Sequence, residues 1–181
     1  MGTHDTYRAA ARIVKDAGGE LVGRTRLQKI AFLLNLAGFS DDFSFEYRHY
    51  GPYSEELAQA MEIAAALGPV REEERLADWG GRYSVYHLEQ DVGGDDATRA
   101  AFVQEAKQVD AVELELAATA AYLFAREGFG INGNGNPWEE TRRRKPSKAS
   151  DGRLERAAAA YQRLRKLEVR KSLPELPSPS S

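Results

Sequence analysis

The stretch Thr25-Arg26-Leu27-Gln28-Lys29-Ile30-Ala31-Phe32-Leu33-Leu34, continuing to Ala37, constrains the fold more than any other part of the chain. Leu27, Ile30, Leu34 and Ala37 recur at helical spacing, and Phe32, Leu33 and Leu36 fill the other side. Past its basic first turn the helix is therefore apolar nearly all round, and a helix of that kind is buried. Thr25 and Gln28 have the spacing of a capping box, which predicts that the threonine oxygen takes a free amide at the helix start while the glutamine reaches back. A second stretch, Ala111 to Ala125, is dominated by Leu114, Leu116, Leu123, Phe124 and alanines, and reads as another core helix. Two buried central helices imply a mostly α domain.

Ahead of the central helix, Thr3 or Asp5 can cap a helix running to Ala17, closed by Gly18-Gly19, and Leu21 and Val22 read as a connector. After it, Phe43, Phe45 and Tyr47 alternate with Ser44, Glu46 and Arg48 at the period of a half-buried strand. Gly51 and Pro52 predict a turn, since proline fixes its own φ and restricts its neighbour. Ser54 then caps a helix to Leu67, with Glu55 and Glu56 in its first turn and Leu57, Met61, Ala64 and Ala65 inward. Gly68-Pro69 stops it. Val70 to Trp79 and Arg82 to Leu88, joined by Gly80-Gly81, read as a β-hairpin. That order resembles a winged helix over residues 1–90, with a three-stranded β element.

Residues 91–171 read as the helical remainder of one domain. Asp95 or Asp96 caps a helix through Val109, and Asp110 caps the second core helix through Arg126. Residues 128–136 form a loop rich in glycine and asparagine. This loop lacks the Gly-Lys-Ser/Thr ending of a phosphate cradle, and Glu139 and Glu140 stand where a phosphate would bind. Asn136-Pro137 opens a short helix, and Asp151 is the expected cap of a last helix carrying Leu154, Ala158, Tyr161, Leu164 and Leu167 at core spacing. With three prolines and four serines, residues 172–181 are expected to be a disordered tail.

Thr25, Leu27-Gln28-Lys29, the aromatic segment and Tyr50-Gly51-Pro52-Tyr53-Ser54 with Leu57 together resemble the SocA-type antitoxin (Panacea) superfamily, and most nearly its uncharacterised YwgA-like branch. The resemblance runs from about Tyr7 to Leu88, with weaker echoes around Leu116 and at Lys145-Pro146. It implies a helical domain with a small β element that works by contact with another protein, as SocA-like members do when they neutralise a toxin.

Charge is uneven along the chain. Residues 1–136 hold 13 Lys+Arg against 22 Asp+Glu, net −9, whereas residues 137–171 hold 12 against 5, net +7. DNA affinity needs cations facing phosphates, and the helix that a winged helix would lay in a groove carries Glu55, Glu56 and Glu62 with no Lys or Arg. The acidic winged-helix face, with the aromatic residues His49, Tyr50 and Tyr53, is instead the expected contact for a protein partner: a toxin or another basic, nucleic-acid-acting protein. The alternative is nucleic-acid binding by the basic C-terminal helices through Arg142, Arg143, Arg144, Lys145, Lys148 and Arg163. No catalytic centre, cofactor or metal site is expected. Cysteine is absent, His4, His49 and His87 lack ligand spacing, and no Gly-x-Ser-x-Gly elbow occurs. With neither a signal peptide nor an apolar run long enough to span a bilayer, the expected location is the cytoplasm.

Overall fold

The computed structural model describes residues 3–180. The caps expected at Thr3 or Asp5, like His4, fall outside the described side chains. Helix α1 (Thr3–Asp16) leads through strand β1 (Glu20–Val22) into α2 (Arg24–Leu36), whose middle is enclosed. Every residue from Leu27 to Leu34 is buried. At about 1.5–3 kcal/mol per large apolar side chain, Leu27, Ile30, Phe32, Leu33 and Leu34 together contribute on the order of 10 kcal/mol.

The start of α2 differs from the capping-box expectation. Gly23, at φ 96°, occupies the cap position, and no side chain caps the helix. Its N–H donates to Ser84 O (2.8 Å) and its carbonyl accepts from Leu27 N (3.1 Å), so sheet and helix share that residue. The helix thus begins before Thr25, and Gln28 turns into the interior, where it is 4% exposed. Leu21 and Val22 are likewise not a connector. They belong to β1, which pairs antiparallel with β5 (Arg82–Leu88), placing Leu21 opposite Tyr86. β5 in turn pairs with β4 (Val70–Leu76), giving the order β1-β5-β4. The three-stranded element thus exists, but β1 supplies its third strand.

The aromatic stretch was expected to be that strand. Only Glu46–Arg48 (β2) is extended and paired, and its partner is Gly51–Tyr53 (β3), read from sequence as a turn. The reversal falls instead at His49-Tyr50, a two-residue connection between Arg48 and its partner Gly51. Phe43 is buried and the Phe45 ring meets Phe32 edge-on at 5.4 Å. Their alternation therefore reflects packing rather than sheet pairing. Helix α3 (Glu55–Leu67) starts as expected, with Ser54 Oγ accepting from Leu57 N at 3.1 Å.

Beyond the β4–β5 hairpin, α4 (Ala97–Gln108) is capped by Asp96, α5 (Ala111–Glu127) by Asp110 and α6 (Pro137–Arg144) by Asn136. Helix α5 is the second central helix and packs against α2, β3, α6 and α7 (Arg153–Arg165). Asp151 does not cap α7: it and Gly152 both take left-handed conformations (φ 59° and 75°), and no side chain caps the helix. Residues 172–180, expected to trail as a disordered tail, lie against the helices instead. Leu173 and Leu176 are buried, Tyr161 Oη donates to Pro174 O (2.7 Å), and Asn136 Nδ2 donates to Ser178 O (2.7 Å). Two leucines outweigh the proline and serine around them because α6 and α7 leave an apolar seat to fill. Among the described residues no helix is long and apolar enough to cross a membrane.

Candidate functional site

The β2–β3 hairpin is held from beneath by side chains far apart in sequence. Gln28 from α2 clasps Ser54 in both directions: Nε2 donates to Ser54 O (2.9 Å) and Oε1 accepts from Ser54 N (2.8 Å). One residue on, Lys29 Nζ donates to Pro52 O (2.8 Å), and Lys145, just past α6, donates to His49 O (2.7 Å). The carbonyls on either side of the Tyr50-Gly51 step are therefore each gripped by a buried lysine. Gly51 has φ 91°, and a Cβ there would lie 2.3 Å from Thr119 Oγ1 on α5, so the hairpin approaches the central helix as only glycine permits. Thr119 Oγ1 itself is buried without a hydrogen-bond partner among the described residues.

Glu115, on α5 and 3% exposed, balances these cations. It accepts from Lys145 Nζ (3.0 Å) and from Lys148 Nζ (2.8 and 2.9 Å). Among the described residues Lys29 makes no such direct pair, and burial drives its pKa down from 10.5 to about 7; Glu115 opposes the shift, and Lys145 and Lys148 reinforce it. Lys145 is also lowered by burial, with Glu115 holding it up. Lys148 reaches outward as well, its Nζ 4.4 Å from the centroid of the Tyr50 ring.

Above this platform a groove of about 650 Å³ runs between α2, α3 and the β4–β5 hairpin. Leu27, Ala58 and Met61 contribute apolar surface, and Tyr50, Tyr53, Tyr86 and Trp79 supply aromatic edges. The charged side chains are Arg24, Lys29, Glu55, Glu62, Glu72 and Arg82. The groove thus gathers Tyr50, Tyr53, Glu55 and Glu62 of the expected contact residues. Glu56 is exposed but not part of it; its Oε1 accepts from Ser44 N (3.0 Å). His49 is exposed at the hairpin turn and contributes its backbone carbonyl to the platform. Sequence reasoning missed Lys29, Trp79 and Tyr86. Trp79 beside Gly80-Gly81 was the available signal, because tryptophan is enriched at protein interfaces.

The basic residues expected to meet nucleic acid are mostly engaged internally. Arg142 pairs with Glu139 (3.2 Å) and Glu155 (3.1 Å), and Arg143 with Glu140 (2.6 Å). Arg144 pairs with Glu140 (2.7 Å) and Glu127 (3.1 Å), and Lys145 lies buried on Glu115. Lys148 shares Glu115, leaving Arg163 exposed on α7. Five of these six cations are therefore already paired with carboxylates of the chain itself. Among the described residues, no three His, Asp or Glu side chains converge as a metal ion would require.

No family model matches the chain. Over 69 residues it is 35% identical to the uncharacterized protein YwgA of Bacillus subtilis (strain 168), a match taking in 37% of this chain. The same match takes in 42% of that relative, so the chain spans less than half the length of the curated relative it matches. The similarity points to a YwgA-like group.

Proposed function

We propose that the chain is a protein-interaction module of antitoxin-like, regulatory type. It binds a partner protein through the face built from the β2–β3 hairpin, α3 and the β4–β5 wing, and acts by covering the partner's working surface. The groove carries this reading: a preformed concavity with exposed Tyr50 and Trp79 on its edges and an apolar floor, on a helix whose charged residues are all acidic. Aromatic anchors in a preorganised depression are the features that concentrate binding energy at protein interfaces. Several residues of the SocA-type signature support it, because they have tasks here. Gln28 and Lys29 hold Ser54 and Pro52, Gly51 admits Thr119, and Tyr50 and Tyr53 face the groove. The signature is thus the machinery that presents a rigid hairpin. An acidic α3 suits a basic partner, such as a protein that acts on nucleic acid.

The test is affinity capture of the tagged full chain from its native host, with and without nuclease. The expected result is a stoichiometric protein that survives nuclease and is lost when Glu55, Glu56 and Glu62 are changed to lysine. Nucleic acid alone in the eluate, removed by nuclease, would overturn the reading and return attention to the C-terminal helices.

A further inference from the structure

The groove's aromatic residues differ in what already stands on them. Tyr50 carries the Lys148 ammonium at 4.4 Å and Tyr53 the Arg48 guanidinium at 4.7 Å. Trp79 is 81% exposed, and among the described residues no cation stands on it. Its indole nonetheless has a fixed seat. A Cβ at Gly81 would lie 1.6 Å from Trp79 Cζ3, so the ring covers the bare Cα of Gly81. Gly81 does not adopt a positive φ; it is needed there for space.

The groove's charges show a matching asymmetry. Arg24 is taken by Glu72 (2.7 Å), Arg82 by Glu74 (3.2 Å), and Lys29 by the Pro52 carbonyl (2.8 Å). Glu55 is taken by Arg48 (3.2 Å), whereas among the described residues Glu62 makes no ion pair. One tryptophan face and one carboxylate therefore remain uncommitted, Trp79 from the β4–β5 connection and Glu62 from α3, both lining the groove with Ala58 and Met61.

The complement of that set is a planar cation on an aliphatic stem. We propose that the groove receives an arginine side chain from a partner polypeptide, its guanidinium stacked on Trp79 and paired with Glu62, its methylenes lying over Met61. Tryptophan is the strongest aromatic partner for a cation, and guanidinium, flatter and less tightly hydrated than ammonium, can stack and pair at once. This inference rests on the protein-interaction reading and adds the chemistry of what is held.

The probe is a set of three acetylated, amidated 12-residue peptides in which leucine alternates with arginine, with glutamine or with glutamate. Each is titrated into the full chain while acrylamide quenching is followed. Trp138 is 2% exposed and Trp79 81%, so quenching reports Trp79. The arginine peptide is expected to protect Trp79 and to bind at least about 10-fold more tightly than the glutamine peptide, about 1.4 kcal/mol. Glu62→Gln should weaken it roughly 3- to 10-fold, and Gly81→Ala, which displaces the indole without altering either recognition group, by a similar factor. Thermal midpoints of both variants serve as the folding control. Equal binding of the three peptides, or undiminished arginine-peptide binding by both variants, would overturn the proposal. So would a partner captured equally by wild type and both variants, an outcome that leaves the protein-interaction reading standing. Failure to capture any protein bears on that reading alone, since the peptide titration decides the groove.

Discussion

Replacing Lys29 with methionine tests the buried lysine platform through its pH dependence. Lys29 is 1% exposed, and its burial lowers the folded-state pKa to about 7 from 10.5. Between those values the unfolded chain binds the proton more tightly than the folded one, so stability rises with pH. The penalty for burying the ammonium is complete below pH 7 and is relieved progressively as pH climbs from the folded pKa toward the unfolded value of 10.5. Each unit of that interval is worth up to about 1.4 kcal/mol, so the wild type gains about 2–3 kcal/mol from this residue between pH 7 and 9.5. Lys145 adds a gain of the same sign in both proteins. In Lys29→Met the Lys29 share vanishes. At pH 7 the variant trades a desolvated cation for an unpaired Pro52 carbonyl, a cost of about 1–3 kcal/mol set against the relieved burial, and the two proteins lie close in stability. By pH 9.5 the wild type, whose neutral amine still donates to Pro52 O, should lead by about 2–3 kcal/mol more than at pH 7. Urea unfolding followed by far-UV circular dichroism at half-unit pH steps measures this directly. A gap that changes by less than about 0.5 kcal/mol over the interval would refute the assignment.

Two further predictions concern the elements that place the site. Gln28→Leu strands the buried Ser54 N–H and leaves Ser54 C=O with Ala58 N alone (3.2 Å), which should cost about 1–3 kcal/mol and lower the thermal midpoint by roughly 2–10 °C; calorimetry checks it. Deleting residues 172–181 uncovers the seats of Leu173 and Leu176 and should cost about 3–6 kcal/mol. Amide hydrogen exchange in that variant is expected to speed up in α7 and remain slow in α2, and unchanged exchange in α7 would show the tail to be dispensable.

What the sequence discloses about this chain is mostly local. The buried middle of α2 and the Ser54, Asp96, Asp110 and Asn136 caps follow from spacing within a few residues. The β4–β5 hairpin reads from sequence with too tight a turn: Leu76 pairs with Arg82, so residues 77–81 connect the strands and Trp79 lies in the loop. What escapes is non-local. Three-residue strands such as β1 and β3 have no periodicity to read, and their existence depends on partners 65 and 5 positions away, Tyr86 for Leu21 and Tyr47 for Pro52. Gln28 satisfied a local capping rule and then followed a tertiary one, because two bonds to the buried Ser54 backbone outweigh a single exposed cap. The charge asymmetry was countable, yet its meaning was not: whether Arg142, Arg143 and Arg144 face phosphate or carboxylate depends on where Glu127, Glu140 and Glu155 land. For the site, the signature marks Gln28, Lys29 and the segment 50–54, but that segment reads as a turn rather than a paired strand, and no pattern ties Lys29 and Lys145 to one hairpin.

Those two lysines come from opposite ends of the chain. Lys29 belongs to the first buried helix and Lys145 to the segment after α6, yet they fix neighbouring carbonyls of a single hairpin. The hairpin therefore has two owners, and neither half can be inherited or exchanged by itself without loosening the surface it presents. A chimera that joins the first 127 residues of this chain to the C-terminal helices of a relative would keep its groove only where the donor also supplies a cation in register with His49 O. Variation among relatives should accordingly concentrate on the groove's rim, at positions such as Glu62 and Trp79, where a new partner can be accommodated while the platform stays intact.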